Sequence, residues 1–182
     1  IPSRYVISNG DGPSTFQSLI GDHLLPDRFL RKLQKREMSA PLFTLYLGVD
    51  LDLAQMGFDG ALVHYYPTLR NNPWDEKDGE GFDIEKEKLA IRVDSIKNPM
   101  LAPRGKHTVA ISAFAPYELF TDGGSTSPHY TEIKEEIVQK MIGMTEKVIP
   151  GLSRHIVLRD ASTPLTYEKM TLNTHGASMG WY

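Results

Sequence analysis

The residues best suited to cofactor chemistry lie in a glycine-containing turn near the start of the chain. Gly10, Asp11 and Gly12 follow an apolar stretch and precede a segment that can form a helix. Glycine lets a backbone approach a pyrophosphate group at a helix N-terminus. Here, however, Pro13 follows at once, and the third glycine of a G-x-G-x-x-G motif is missing. The pattern predicts a tight turn, with a phosphate cradle as the alternative.

The histidines do not have the spacing of a metal site. They stand at positions 23, 64, 107, 129, 155 and 175, without the i, i+4 pair of a zinc-binding helix. His64 and His107 lie on predicted strands, where a half-buried, hydrogen-bonded imidazole is the usual arrangement and a cavity-facing acid or base is the alternative. The chain contains no cysteine, which excludes disulfides and thiolate nucleophiles. We therefore predict no metal and no catalytic nucleophile.

Charge and composition exclude further classes. The 182 residues include 20 Lys and Arg against 23 Asp and Glu, and the net charge of -3 is too weak to indicate a nucleic-acid partner. No apolar run approaches the roughly 20 residues that span a bilayer. The lack of cysteine fits a reducing compartment. We expect a cytoplasmic protein with this chain as one domain, 1–182.

Hydrophobic periodicity predicts an α+β fold with a mixed, largely antiparallel sheet and helices packed on it. The predicted strands are 5–8, 42–49, 60–66, 89–94, 107–114 and 155–158. The predicted helices are 14–19, 26–37, 164–169 and, most clearly, a segment that begins near Ser127 and ends at Pro150. The polar stretch 70–88 is expected to be a solvated connection.

The basic segment 26–36 has two interpretations. Apolar and basic side chains occupy different faces, the apolar ones being Leu24, Leu25, Phe29, Leu30 and Leu33. An ordinary surface helix places its apolar face on the core. The alternative is peripheral contact with an anionic membrane, which makes the protein possibly membrane-associated.

Several stretches form an ordered set along the chain. They are 5–11 (YVISNGD), 43–50 (FTLYLGVD), 98–107 (NPMLAPRGKH), 115–119 (APYEL) and 163–176 (TPLTYEKMTLNTHG). The set resembles the phytoene desaturase, carotenoid isomerase and retinol saturase family of FAD-dependent oxidoreductases. The resemblance implies an enzyme that desaturates, saturates or isomerises a lipophilic polyene such as a carotenoid. It also implies that a separate domain of the same protein binds the flavin, so that this chain is an internal substrate-binding fragment, inactive alone.

The resemblance also implies site residues. Asn9, Gly10 and Asp11 are expected near the FAD, where residues 1–12 would join the flavin domain. The residues expected at the substrate are Phe43, Tyr46, Tyr117, Thr163, Pro164 and Tyr167. No catalytic residue is predicted, because the flavin carries the electrons. A stand-alone α+β domain that binds an apolar small molecule without catalysis is the alternative.

Overall fold

The protein is built around one antiparallel sheet. The computed structural model describes residues 2–68 and 81–181. Its seven strands are β1 (Leu42–Val49), β2 (Val63–Tyr65), β3 (Leu89–Arg92), β4 (His107–Phe114), β5 (Thr121–Asp122), β6 (Ser125–Thr126) and β7 (Ile156–Ser162). Five of them form a sheet in the order β2-β3-β4-β1-β7, and β5 and β6 form a separate hairpin. Every pairing in both sheets is antiparallel.

Four α-helices accompany the sheet. They are α1 (Asp27–Leu33), α2 (Asp94–Lys97), α3 (Tyr130–Glu146) and α4 (Pro164–Thr171). A π-helical segment, Ser14–Gly21, precedes α1. None of the helices in the described part of the chain is long and apolar enough to cross a bilayer. The predicted α+β class, with a largely antiparallel sheet, is confirmed.

The hydrophobic core lies between the sheet and α3. Alternate residues of β1 point toward it because successive side chains of a strand face opposite sides. Those four side chains are at most 3% exposed: Phe43, Leu45, Leu47 and Val49. The buried residues of α3 are Ile137, Val138, Met141, Ile142, Met144 and Thr145. Burial of this face fixes which side of β1 remains available for function.

The start of α4 is fixed by its sequence. Thr163 is the N-cap, and its side chain accepts a hydrogen bond from the Thr166 backbone N–H, while the Thr166 side chain accepts from the Thr163 N–H. Pro164 follows at the first helical position, where its missing N–H costs nothing. This capping box anchors α4 directly after β7. The helix is thereby positioned against the side of the sheet that faces away from α3.

The strand predicted at 5–8 is wrong. Residues 2–9 form no helix or strand, and Tyr5, Val6 and Ile7 are 87%, 85% and 96% exposed. The apolar run has the composition of a strand, but no described strand lies beside it to accept its backbone hydrogen bonds. The predicted connection 70–88 falls partly outside the described residues. Its described end packs inward, since Ile84 is only 2% exposed.

The basic segment 26–36 is less helical than its periodicity predicts, because α1 ends at Leu33. Part of its apolar face is used internally. The rings of Phe29 and Phe16 meet edge to face with centroids 4.9 Å apart. Leu24, just before α1, is 67% exposed. Contact of this segment with a membrane stays a prediction.

Candidate functional site

The side of the sheet that faces away from α3 forms a partly exposed surface: along β1, Tyr46 is exposed, Gly48 is half-buried and Thr44 is buried. Thr44, Tyr46 and Gly48 alternate with the core residues of β1. The strand register places Ala110 of β4 beside Tyr46, and Arg92 of β3 beside Ala110. Directly opposed residues of antiparallel strands share one face. We call this surface the open face, and its residues are His64, Ala90, Arg92, Thr108, Ala110, Ser112 and Leu158 together with the three from β1.

A hydroxyl network closes one end of the open face. The Tyr167 Oη of α4 lies 2.7 Å from Thr44 Oγ1, which in turn lies 2.9 Å from Ser112 Oγ. Burial raises the pKa of Tyr167, and the neighbouring Tyr46 phenol adds to that rise, while Thr44 and Arg92 act against it. Tyr167 therefore keeps its proton at neutral pH. The network can orient a ligand, but Tyr167 is not poised to act as a base.

The middle of the open face is a shallow floor of small residues. Gly48, Ala90 and Ala110 occupy neighbouring strands. At Gly48 a Cβ atom would stand only 3.2 Å from the Leu158 Cβ, so this position has little room for a side chain. Tyr46 and Leu158 rise beside the floor with 42% and 69% of their surface exposed. The arrangement offers a flat apolar surface edged by an aromatic ring.

Two of the six predicted substrate residues, Tyr46 and Tyr167, come together at this surface. Phe43 does not. It is completely buried, and its ring stacks on Phe120 with centroids 6.1 Å apart. Phe43 is three positions from Tyr46, and an odd separation along a strand places two side chains on opposite faces. Its prediction as a substrate wall is corrected to a core residue.

Thr163 and Pro164 have structural tasks in this fold. Thr163 is 0% exposed, caps α4 and lies 3.1 Å, Oγ1 to Oη, from the hydroxyl of Tyr130. Pro164 is buried, and its carbonyl oxygen would stand 2.3 Å from a Cβ atom added to Gly176. Neither side chain reaches the open face in this arrangement. They support the site by fixing where α4 begins.

Tyr117 belongs to a separate cluster. Its hydroxyl donates to Glu168 Oε2 at 2.6 Å, and its ring stacks on His175 with centroids 4.8 Å apart. Partial burial, with the hydrogen bond and the charge of Glu168, raises the pKa of Tyr117 to about 12. Glu168 is adjacent to Tyr167 on α4, so the two side chains diverge by about 100° around the helix axis. Tyr117 is therefore not part of the open face.

The turn at residues 9–12 links the two ends of the described chain. Asp11 Oδ2 accepts from the Ser14 N–H and the Thr174 hydroxyl, and Oδ1 accepts from the Thr174 N–H. Partial burial alone would raise the pKa of Asp11, but these hydrogen bonds hold it below its ordinary value. Both carboxylate oxygens are thus engaged within the chain, which does not fit the predicted role of Asp11 as a flavin contact. Asn9 and Gly10 remain exposed.

Gly12 supports packing rather than phosphate binding. A Cβ atom on Gly12 would come within 2.4 Å of the Trp181 ring. That ring also stacks on Phe16 with centroids 6.2 Å apart. The close approach that only glycine permits is therefore taken by an indole ring. Between the two interpretations of this glycine pair, the structure favours the tight turn.

Ser178 lies in a segment, 176–180, whose residues have the spacing of a G-x-S-x-G nucleophile motif. That motif requires a sharp turn between a strand and a helix, and residues 176–180 follow a 3-10 turn instead. The Ser178 hydroxyl donates to the Ala40 carbonyl oxygen at 2.7 Å. It is a structural contact between segments that are distant in sequence.

Three polar residues of the open face escape prediction from sequence. Thr44 could have been found, because it stands two positions from Tyr46, and side chains two positions apart on a strand share a face. Ser112 and Arg92 could not, because only the register of β4 and β3 brings them to Tyr167 and Tyr46. In a single sequence, no local pattern at Ser112 or Arg92 predicts this position.

No family model matches the chain. It is 26% identical over 176 residues to the chloroplastic prolycopene isomerase of Daucus carota, covering 96% of this chain and 26% of that protein. It is 25% identical over 184 residues to the neurosporene-forming phytoene desaturase of Rhodobacter capsulatus, covering 97% of this chain and 33% of the relative. It is 24% identical over 185 residues to pyridine nucleotide-disulfide oxidoreductase domain-containing protein 2 of Mus musculus, covering 93% of this chain and 31% of that protein.

The chain thus spans about a quarter to a third of the length of these relatives. Among solved structures it is similar to an oxidoreductase from Methanosarcina mazei, with 13% identity, a TM-score of 0.46, and 84% of this chain and 29% of the other covered. The resemblance that the motifs predict is confirmed by the sequence relatives, which extend over nearly the whole of this chain. The chain is homologous to a segment of phytoene desaturases, prolycopene isomerases and related oxidoreductases.

Proposed function

We propose that this chain is the substrate-holding region of an FAD-dependent oxidoreductase that desaturates, saturates or isomerises a lipophilic unsaturated substrate. The observation that carries the proposal is the open face. One side of the sheet is buried under α3, while the other leaves a floor of Gly48, Ala90 and Ala110 partly exposed. Exposed apolar surface beside polar groups is typical of a ligand site.

The proposed substrate is long and apolar. A flat floor edged by the Tyr46 ring suits a planar conjugated chain, because aromatic rings stack favourably on such surfaces. Leu158 extends the apolar surface along the edge strand β7. Arg92 and the hydroxyls of Tyr167 and Thr44 mark one polar end. We propose that these groups set the position of the substrate along the face.

The flavin supplies the hydride and electron chemistry when bound. In this proposal the described residues do not hold its pyrophosphate group, because Trp181 occupies the space beside Gly12. Asn9 and Gly10 are exposed and are proposed to lie at its margin, with Asp11 fixing the shape of their turn. The chain's own residues orient the substrate and exclude water from it.

The test is the absorption spectrum of the purified intact protein. We expect flavin bands that bleach when a desaturating enzyme receives its polyene substrate under anaerobic conditions. In the saturating direction, dithionite-reduced enzyme should regain those bands when the polyene is added and takes up the electrons. A protein without flavin absorbance would overturn the redox assignment. Retention of polyene binding in that case would favour the alternative, an apolar-ligand domain without catalysis.

A further inference from the structure

A second cleft lies at the end of the sheet where β4 begins. Its volume is about 260 Å³, and α2 and the turn before β4 form its walls. Three of its lining residues can donate hydrogen bonds to an anion: Arg104, Lys106 and His107. The cleft's described lining contains no aspartate or glutamate. A cation-rich cleft without a carboxylate favours a negatively charged occupant.

The turn that carries the two cations is well defined. The Lys106 N–H donates to the Pro103 carbonyl oxygen at 3.0 Å, and Gly105 has a φ of +76°. A Cβ atom at Gly105 would meet nothing within 4 Å, so the glycine is there for its backbone angle. Arg104 and Lys106 are thus held on either side of one fixed residue. An anion that binds between them must order their side chains but not the backbone of the turn.

Neighbouring groups fix the orientation of the His107 ring. Its Nδ1 lies 3.0 Å from Ser95 Oγ, and the same oxygen accepts from the Thr108 N–H at 3.0 Å. Ser95 is 3% exposed, so water does not compete for this contact. With its oxygen already accepting, the Ser95 hydroxyl can donate its hydrogen to Nδ1. The neutral ring then carries its own hydrogen on Nε2, as a third donor.

The cleft is larger than a simple anion requires. A water molecule takes about 30 Å³ in the liquid, and an inorganic phosphate is only a few times larger. Apolar residues adjoin the cations on the same loop. Pro99 and Ala102 of this loop line the cleft, as do Ala54 and Ile96. An occupant that joins an anionic group to an apolar part would use both surfaces.

We propose that this cleft binds a phosphate group carried by a larger, partly apolar molecule. Arg104, Lys106 and His107 donate to the phosphate, and Ile96, Pro99 and Ala102 contact the apolar part. The phosphate can belong to a free organic phosphate or to a phospholipid headgroup. This site is independent of the open face and of the proposed redox reaction.

The test uses two probes on the intact protein. Hexyl phosphate is titrated by calorimetry, and co-sedimentation measures binding to phosphatidylcholine vesicles with and without phosphatidic acid. The variant is Arg104→Gln with Lys106→Gln. The control removes two positive charges elsewhere, Lys147→Gln with Lys169→Gln, at positions that are also on the surface.

We expect binding of at least one probe to weaken about tenfold or more in the cleft variant and to stay within about twofold in the control. Hexyl phosphate binding without a vesicle preference would identify a free phosphate as the ligand. Binding only to vesicles that contain phosphatidic acid would identify a headgroup. The proposal is overturned if the wild-type protein binds neither probe, or if both double variants lose binding equally.

Discussion

Tyr167 and Thr44 are 123 positions apart in sequence, and their hydroxyl oxygens lie 2.7 Å apart. This contact ties α4 to the central strand β1 at the border of the open face. It also determines where the floor of small residues ends. The position of α4 over the sheet, and hence the shape of the proposed substrate surface, depends in part on this pair.

Removal of that link should destabilise the protein modestly. Tyr167→Phe deletes one hydroxyl and leaves Thr44 its contact with Ser112, so we expect the free energy of unfolding to fall by about 1 kcal/mol in denaturant titrations. Tyr66→Phe is the matched control, because Lys88 contacts the Tyr66 ring rather than its hydroxyl. Equal effects of the two substitutions would show that the link contributes nothing specific.

Gly176 should be intolerant of any side chain. Its φ is +65°, and an added Cβ atom would stand 2.3 Å from the Pro164 carbonyl oxygen. We expect Gly176→Ala to lower the free energy of unfolding by about 3 kcal/mol or more. Gly143→Ala, on the exposed side of α3 with nothing within 4 Å, should instead raise it by about 0.5 to 1 kcal/mol. A Gly176→Ala protein with the same free energy of unfolding as wild type would contradict the packing of α4 on the 3-10 turn at Thr174–Gly176.

The position of the central elements follows directly from sequence. The predicted limits 42–49 and 107–114 agree with β1 and β4, because both segments are rich in apolar, aromatic and β-branched residues over a strand-like length. The long helix α3 was equally evident from its spacing of apolar residues. Local sequence patterns are sufficient to predict a helix or strand where one of its faces is buried along its whole length.

The open face could be predicted only in part. Alternation along β1 places Tyr46 and Phe43 on opposite faces, so the prediction of both as substrate walls conflicts with the periodicity of the strand itself. The neighbours of Tyr46 on other strands depend on register, which no local pattern specifies. The strand predicted at 5–8 fails for a different reason. Its apolar residues have strand propensity, but no described strand pairs with them.

Asp11 should make stability depend on pH in the acid range. The pKa of Asp11 in the folded protein lies below the ordinary value of 3.8. The stability that the ionised carboxylate contributes is therefore present above pH 3.8 and is lost as the pH falls through the lowered folded pKa. Asp11→Asn should therefore be less stable than wild type at pH 7. We expect the difference to narrow below about pH 4 in urea titrations. A difference that stays constant down to pH 2 would show that the carboxylate charge is not involved.

Tyr117 should ionise unusually late. Its pKa is raised from 10.0 to about 12, so its contribution to folding is present below pH 10 and is lost as the pH rises toward 12. In a spectrophotometric titration, Tyr117→Phe should remove one phenolate that forms near pH 12. Glu168→Gln should move that ionisation toward pH 10, because it removes the negative charge beside the hydroxyl. An unchanged titration curve in Glu168→Gln would show that Glu168 does not contribute to the raised pKa beyond the effect of burial.

The central claim is that the open face holds an apolar substrate, and polyene binding by the intact protein tests it most directly. Ala110→Trp fills the floor beside Tyr46, whereas Gly143→Trp places the same ring on the exposed side of α3. The account predicts that polyene affinity, measured by absorbance or fluorescence quenching, falls about tenfold or more for Ala110→Trp and is unchanged for Gly143→Trp. Unchanged affinity in a stably folded Ala110→Trp protein would contradict it.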